Sequence, residues 1–310
     1  MSISQKIALQ QVILPVLAST PGKFIHLGSA FVIAALGRQA LLMTAAHVIR
    51  EGAQLDGHRP KHHPSALPQF VNSSNTQTFL RTAKLHVNYR EDESKGHLAD
   101  IVHTYINDPS DIALLAVGFP SHIPEKVLFR SRLSLDSSPP AVGTSIIAAG
   151  YGDSKMSIIN NSDSDLFVFG FQHKLDYRHG KVIELLGRND PSFRCGPGFR
   201  IDAAISSGMS GGPVLNKNYG DRIVACGINT SDISLSDARD ATGSGMRATC
   251  QALWPAMAIT VEHAGLDGAI RPTRLLELVR LGFVSDFGNP ALHVKGVPEP
   301  GIKKFSIGWE

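Results

Sequence analysis

Cysteine is scarce in this chain, runs of like charge are missing, and no apolar stretch is long. Cys195, Cys226 and Cys250 are the three cysteines. An odd and low number excludes the disulfide framework of a small secreted scaffold and favours buried thiols over a bridge. No segment approaches the roughly 20 apolar residues of a membrane-spanning helix. Thirty Lys+Arg stand against 27 Asp+Glu, a formal net charge of +3. So small and dispersed an excess implies neither nucleic acid nor a membrane surface as partner. The N-terminus also lacks a secretory pattern. Gln10 and Gln11 precede the apolar residues 12–17, Pro15 interrupts them, and only Lys6 offers a basic head. These residues read as a first strand, and the protein reads as cytoplasmic.

What is present suits a β protein. Hydrophobic residues make up 43% and charged residues 18% of 310, enough for a sizeable core. The 29 glycines and 18 prolines fit a loop-rich β fold better than a helical bundle. Residues 24–35 are apolar and β-rich, Gly37-Arg38 turns the chain, and 39–44 returns it, a hairpin signal. The return strand runs into T-A-A-H-V-I at 44–49. Residues 51–98 are polar, with Pro60, Pro64 and Pro68, and read as an inserted loop region. Asp108-Pro109-Ser110 is a turn signal before the strand-like D-I-A-L-L-A-V at 111–117. Pro120, Pro124, Pro139 and Pro140 mark a linker over 123–141. A second β-rich half opens near Val142 and reaches G-M-S-G-G-P-V at 208–214. Leu275, Leu276, Leu278, Val279 and Leu281 share a helix face, with Pro272 before them and Gly282 as a stop. That helix is expected to pack on the second half. The divisions are thus 1–122, 123–141, 142–283 and a tail over 284–310.

Three residues carry the parts of one chemistry. A serine hydroxyl is inert until a histidine accepts its proton, and a buried carboxylate holds that histidine in the right tautomer. His47 follows two small alanines at a strand end. Asp111 opens an apolar strand. Ser210 sits in a glycine cluster whose backbone can curl so that N–H groups converge, those of Gly208 and Ser210. Alone, each is an ordinary packed histidine, turn aspartate or turn serine. Their conjunction in order, all at strand ends, points to a triad. Asp100 and Asp108 are rivals, but Asp111 directly opens the long strand.

Other readings compete. G-M-S-G-G also fits the nucleophile elbow of an α/β-hydrolase esterase, with Asp221, Asp232 and His263 downstream as partners. An elbow runs into a long helix, whereas Pro213-Val214-Leu215 leads into a strand. A catalytically silent binding protein is a further alternative, and the complete triad argues against it. His58-x3-His62 has ligand spacing, but prolines surround it and no Cys or acidic partner accompanies it, so no metal is expected.

The segment I-D-A-A-I-S-S-G-M-S-G-G-P-V at 201–214 resembles the active-serine segment of HtrA/Deg-type trypsin-like serine proteases. So do C-G-I-N-T at 226–230, L-G-S-A-F-V-I at 27–33, V-G-T-S-I-I-A-A-G at 142–150 and M-A-I-T-V at 257–261. The resemblance covers most of 24–283. It implies an all-β chymotrypsin-like fold of two antiparallel β-barrels with a C-terminal helix. His47 would be base, Asp111 orienting acid and Ser210 nucleophile of a serine endopeptidase acting on polypeptides without a cofactor. The pocket before the scissile bond would be lined by Ala204, Ile205 and Ser206 on one side and by Thr230 and Asp232 on the other. Two departures stand out. Too few residues follow 284 for the PDZ domain usual in that family. Met209 occupies the place where digestive relatives have an aspartate that pairs with a newly cut N-terminus.

Overall fold

A computed structural model describes residues 3–20, 23–54, 84–90, 96–159, 168–187, 197–230, 247–264, 270–288, 292–295 and 306–309. Helix α1 (Ile3–Val12) leads into six strands: β1 (Ile13–Thr20), β2 (Lys23–Leu36), β3 (Gln39–Ala45), β4 (Lys84–Arg90), β5 (Gly96–Asn107) and β6 (Ile112–Gly118). They close an antiparallel barrel in the order β1-β2-β3-β6-β5-β4. Helix α2 (Ala46–Gln54) follows β3 directly.

The hairpin expected around Gly37 is β2 paired with β3, with Phe31 opposite Met43 and Leu36 opposite Gln39. Two elements differ from the sequence reading. The first strand begins at Ile13, because the residues before it coil into α1, whose Leu9 and Val12 are buried. Part of 51–98, read as loop, is barrel strand. In K-L-H-V-N-Y-R of β4, the alternating Leu85, Val87 and Tyr89 are all buried. Lys and Asn disfavour strands by under about 1 kcal/mol each, whereas burying each apolar side chain contributes about 1.5–3 kcal/mol, so burial decides. His58, His62 and His63 lie outside the described residues.

The second barrel is a ring of six antiparallel strands: β8 (Ser145–Ile159), β9 (Val168–Leu186), β10 (Gly198–Ile201), β11 (Pro213–Asn216), β12 (Val224–Thr230) and β13 (Ala248–Ala252). The ring closes where β11 pairs with β12, and the short β7 (Ser134–Leu135) adds in parallel to β12. Phe199, Ile146, Val182, Ile201 and Val214 fill its interior beside the buried, free Cys226 and Cys250. Burial pushes both thiols up and leaves them unreactive at neutral pH. Cys195 lies outside the described residues. The fold is thus the all-β, two-barrel chymotrypsin-like arrangement.

The segment between the barrels is clipped to both. Phe129 and Leu133 donate backbone hydrogen bonds to Gly37 and Val32 of β2 and its turn, and Asp136 donates to Ala225 of β12. Phe119 stacks on Phe129 at 4.6 Å, and Tyr89 meets both rings edge-on. Beyond β13, a 3-10 turn (Trp254–Ala258), the hairpin of β14 (Thr260–Ala264) with β15 (Ile270–Arg274), and helix α3 (Leu275–Arg280) complete this part of the chain. The helix begins at Leu275, because residues 270–274 are held in the hairpin. Its Leu275 N–H is bonded to Ile259, and that segment reaches β5, where Asn107 bonds Pro255 and Tyr105 accepts from the Glu262 N–H. Within the region read as a tail, β16 (Leu292–Lys295) pairs with β17 (Ser306–Trp309). No helix among the described residues is long and apolar enough to cross a membrane.

Candidate active site

Asp111 is set by the turn that precedes β6. Residues 108–110 form one turn of 3-10 helix, and Asp111 caps it in the left-handed region (φ 50, ψ 37) with its N–H on the Asp108 carbonyl. Its side chain points at the first turn of α2. There the N–H of His47 donates to Oδ1 at 2.9 Å, and the Asp111 carbonyl accepts the N–H of Ala46. A carboxylate at a helix N-terminus satisfies donors that the helix cannot, and the macrodipole favours its charge. Asp111 is buried at 3% exposure, so these bonds replace most of its water.

His47 is the second residue of α2, carried straight off the end of β3. Its Nδ1 lies 2.6 Å from Asp111 Oδ2. Asp111 therefore grips both the backbone and the ring of His47, which fixes the ring plane and turns Nε2 away from the carboxylate. One turn further along α2, Arg50 bonds Asp108 and stands 3.7 Å from Asp111 Oδ1. The rival aspartates thus have other work: Asp108 pairs with Arg50, and Asp100 lies beside His86.

Ser210 rides on two consecutive turns. The N–H of Met209 donates to Ser206 and the N–H of Gly212 to Met209, with Gly208 and Gly211 third in each turn at φ +86 and +82. A positive φ in third position makes each a type II turn, which favours glycine. At Gly211 space reinforces conformation. A Cβ there would stand 2.2 Å from the Ser29 carbonyl and the Thr44 hydroxyl and 3.0 Å from the Ala45 nitrogen. The residue after Ser210 is thereby pressed against the strand end that leads into His47. Ser210 thus lies at the junction of the barrels and is only 3% exposed.

The turns are held from both sides. In the second barrel, Gly211 N–H donates to the Asn229 carbonyl, and Asn229 Nδ2 donates to Ala149 at 2.8 Å and Met209 at 3.4 Å. From the first barrel, Ser29 N–H donates to the Ser210 carbonyl at 2.7 Å. The sequence reading missed Asn229, Ser29 and Arg50 as site residues. Ser29 and Asn229 lie inside motifs already noted and Arg50 directly follows one, but the task of each is a contact with residues distant in sequence that no spacing announces.

Of the pocket residues, Ala204, Ile205 and Ser206 are half-buried just ahead of the turns, and Ile205 packs on the second-barrel core. Thr230 is buried and its hydroxyl is committed to the Thr249 carbonyl at 2.7 Å. Asp232 lies outside the described residues. Met209 is fully buried and brings no charge to the turns.

A serine, a histidine and an aspartate align elsewhere, on the first barrel. Ser19 Oγ is 3.1 Å from His86 Nε2, and His86 Nδ1 is 2.8 Å from Asp100 Oδ1. These three sit on neighbouring strands β1, β4 and β5, with Ser19 in regular pairing to Phe24 and Lys84. A serine in a continuous ladder has its neighbouring N–H groups engaged in the sheet, so no donors converge where an oxyanion would form. Among the described residues no group of three His, Cys, Asp or Glu is placed to hold a metal ion.

The sequence model of the trypsin-like peptidase domain family matches residues 28–225, a span that holds His47, Asp111 and Ser210. No curated protein matches the chain. Among solved structures it is similar to Deg5, at 18% identity over 82% of this chain and 91% of that one, with a TM-score of 0.46. It is similar to the active form of the Rv3671c protease from M. tuberculosis, at 16% identity over 80% and 78% of the two chains, TM-score 0.44. The HtrA-type protease AlgW with a decapeptide shares 16% identity over 78% of this chain and 61% of that one, TM-score 0.44.

Proposed function

The chain belongs to the trypsin-like peptidase domain family and is a serine peptidase, and from that premise we propose that it is an endopeptidase working through a His47–Asp111–Ser210 triad. The observation that carries this reading is the double grip of Asp111 on the backbone and ring of His47, at 2.9 and 2.6 Å, beside the Ser210 turns.

In the proposed cycle Ser210 Oγ attacks the scissile carbonyl while its proton passes to His47 Nε2. The carbonyl electrons move onto oxygen, which the N–H groups of Gly208 and Ser210 receive. His47 then gives the proton to the leaving amine, and the acyl group stays on Ser210. Water, deprotonated by His47, repeats the sequence and releases the acid. Asp111 stays ionised and stabilises the imidazolium. No cofactor takes part.

The pocket reading extends the same proposal. Ala204 and Ile205 place no charge ahead of the turns, and Ile205 takes up room, so cleavage is expected after Ala, Val and Leu.

Ser210→Ala and His47→Ala test the triad. Each should lower peptide cleavage by at least about a thousandfold, since the two act as one unit, with circular dichroism unchanged. Cleavage by Ser210→Ala at the wild-type rate would remove the serine from the mechanism, and a rate that peaks in acid would point to a carboxylate mechanism.

A further inference from the structure

We propose that Ser29 is a positioning residue that locks the two oxyanion donors, an assignment that rests on Ser210 being the nucleophile. Ser29 is fully buried in β2, at the seam between the barrels. Its partner across the β1–β2 ladder is Pro15. Proline has no N–H to give, so the pair cannot exchange both ladder bonds. The β2–β3 pairing begins only at Phe31. Both backbone groups of Ser29 are therefore available on the side away from β1. The N–H donates to Ser210 O at 2.7 Å, and the carbonyl accepts Thr44 Oγ1 at 2.7 Å.

The hydroxyl supplies the clamp. Tyr151 N–H, from the second barrel, donates to Ser29 Oγ at 2.8 Å. A serine hydroxyl has one proton. With Tyr151 occupying a lone pair, that proton goes to the Gly208 carbonyl at 2.9 Å. The carbonyls of Gly208, Met209 and Ser210 are then fixed in turn by Ser29 Oγ–H, by Gly212 N–H and by Ser29 N–H. A planar trans peptide with its carbonyl fixed has its N–H fixed on the opposite side. The 208–209 peptide lies between the two donor peptides, so its rotation would swing both. Gly208, at φ +86, has the conformational freedom to allow that rotation. Ser29 Oγ removes it, and the first barrel thereby sets the geometry of an oxyanion site built by the second.

The test compares wild type, Ser29→Ala, Ser29→Cys and Ser210→Ala in full-length protein. The readings are peptide kcat and KM, affinity for a peptide aldehyde whose adduct carries the oxyanion, and Tm. Ser29→Ala should lower kcat about 10- to 100-fold, the cost of misaligned donors, with KM little changed. Aldehyde affinity should fall by the same factor, which a merely structural loss of stability would not produce at temperatures well below Tm. Ser29→Cys, which keeps the size and a weaker donor, should fall between, and it carries the test if Ser29→Ala does not fold. Folded variants with kcat and aldehyde affinity like wild type, or a loss confined to KM, would overturn the assignment of Ser29 while an inactive Ser210→Ala left the triad standing. Full activity in Ser210→Ala would overturn both.

Discussion

At the residue scale, the site stores its strain in one place. Asp111 is the only non-glycine residue with positive φ among those described. Aspartate tolerates that region better than most residues, at a cost of order 1 kcal/mol. The hydrogen bonds from Ala46, His47 N–H and His47 Nδ1 offset it. His26 is a second residue under constraint. A Cβ on Gly208 would stand 2.7 Å from its ring, so the imidazole lies against the turn proposed to hold the oxyanion. Burial lowers its pKa to about 4, against a smaller opposing effect of its bond with Gly28. The sign follows. Above the free value of about 6.5 both states are neutral, and nothing is lost. As pH falls from there to about 4, the unfolded chain binds a proton that the folded one refuses, so stability drops. The full loss is of order 3 kcal/mol for a gap from 6.5 to about 4. His26→Gln should flatten that part of the pH dependence in urea melts between pH 7 and 4. An unchanged slope would show that His26 is not the titrating group.

At the element scale, what the sequence made legible was local. T-A-A-H, D-I-A-L-L and G-M-S-G-G-P each end or begin a strand, and each holds its proposed catalytic residue where the chain leaves regular pairing. The hairpin at Gly37 was readable for the same reason. β4 was not, because its polar residues disguise an alternation whose meaning appears only once Leu85, Val87 and Tyr89 have a barrel to fill. Ser29, Asn229 and His26 were opaque because their roles are contacts between strands far apart in sequence. α1 bears on activation. The fully buried Met209 offers no carboxylate to a new α-ammonium group, so activity should not need a trimmed N-terminus. The cut must respect the fold: removal of the residues ahead of Ile13 takes away α1, while a cut before Phe24 deletes β1 and opens the barrel. Intact protein should cleave peptides without processing. Strict dependence of activity on a newly exposed N-terminus would contradict this.

At the scale of the whole molecule, function depends on how two barrels are joined. His47 and Asp111 belong to the first and Ser210 to the second, and the bonds of Ser29 and the clipped linker hold the two in register. In the pocket proposed above, substrate choice belongs to the second barrel. A peptide library should show cutting after Ala, Val and Leu, because burying a Lys or Arg head in an apolar pocket without a partner is costly. Predominant cutting after Arg or Lys would refute the apolar pocket and implicate Asp232. The central claim is that one serine among many is the nucleophile. A fluorophosphonate probe followed by intact mass and peptide mapping tests it most directly. The triad predicts a single adduct on Ser210, much slower labelling of His47→Ala, and none of Ser210→Ala. An adduct on Ser19 or any other serine, or undiminished labelling of Ser210→Ala, would contradict it.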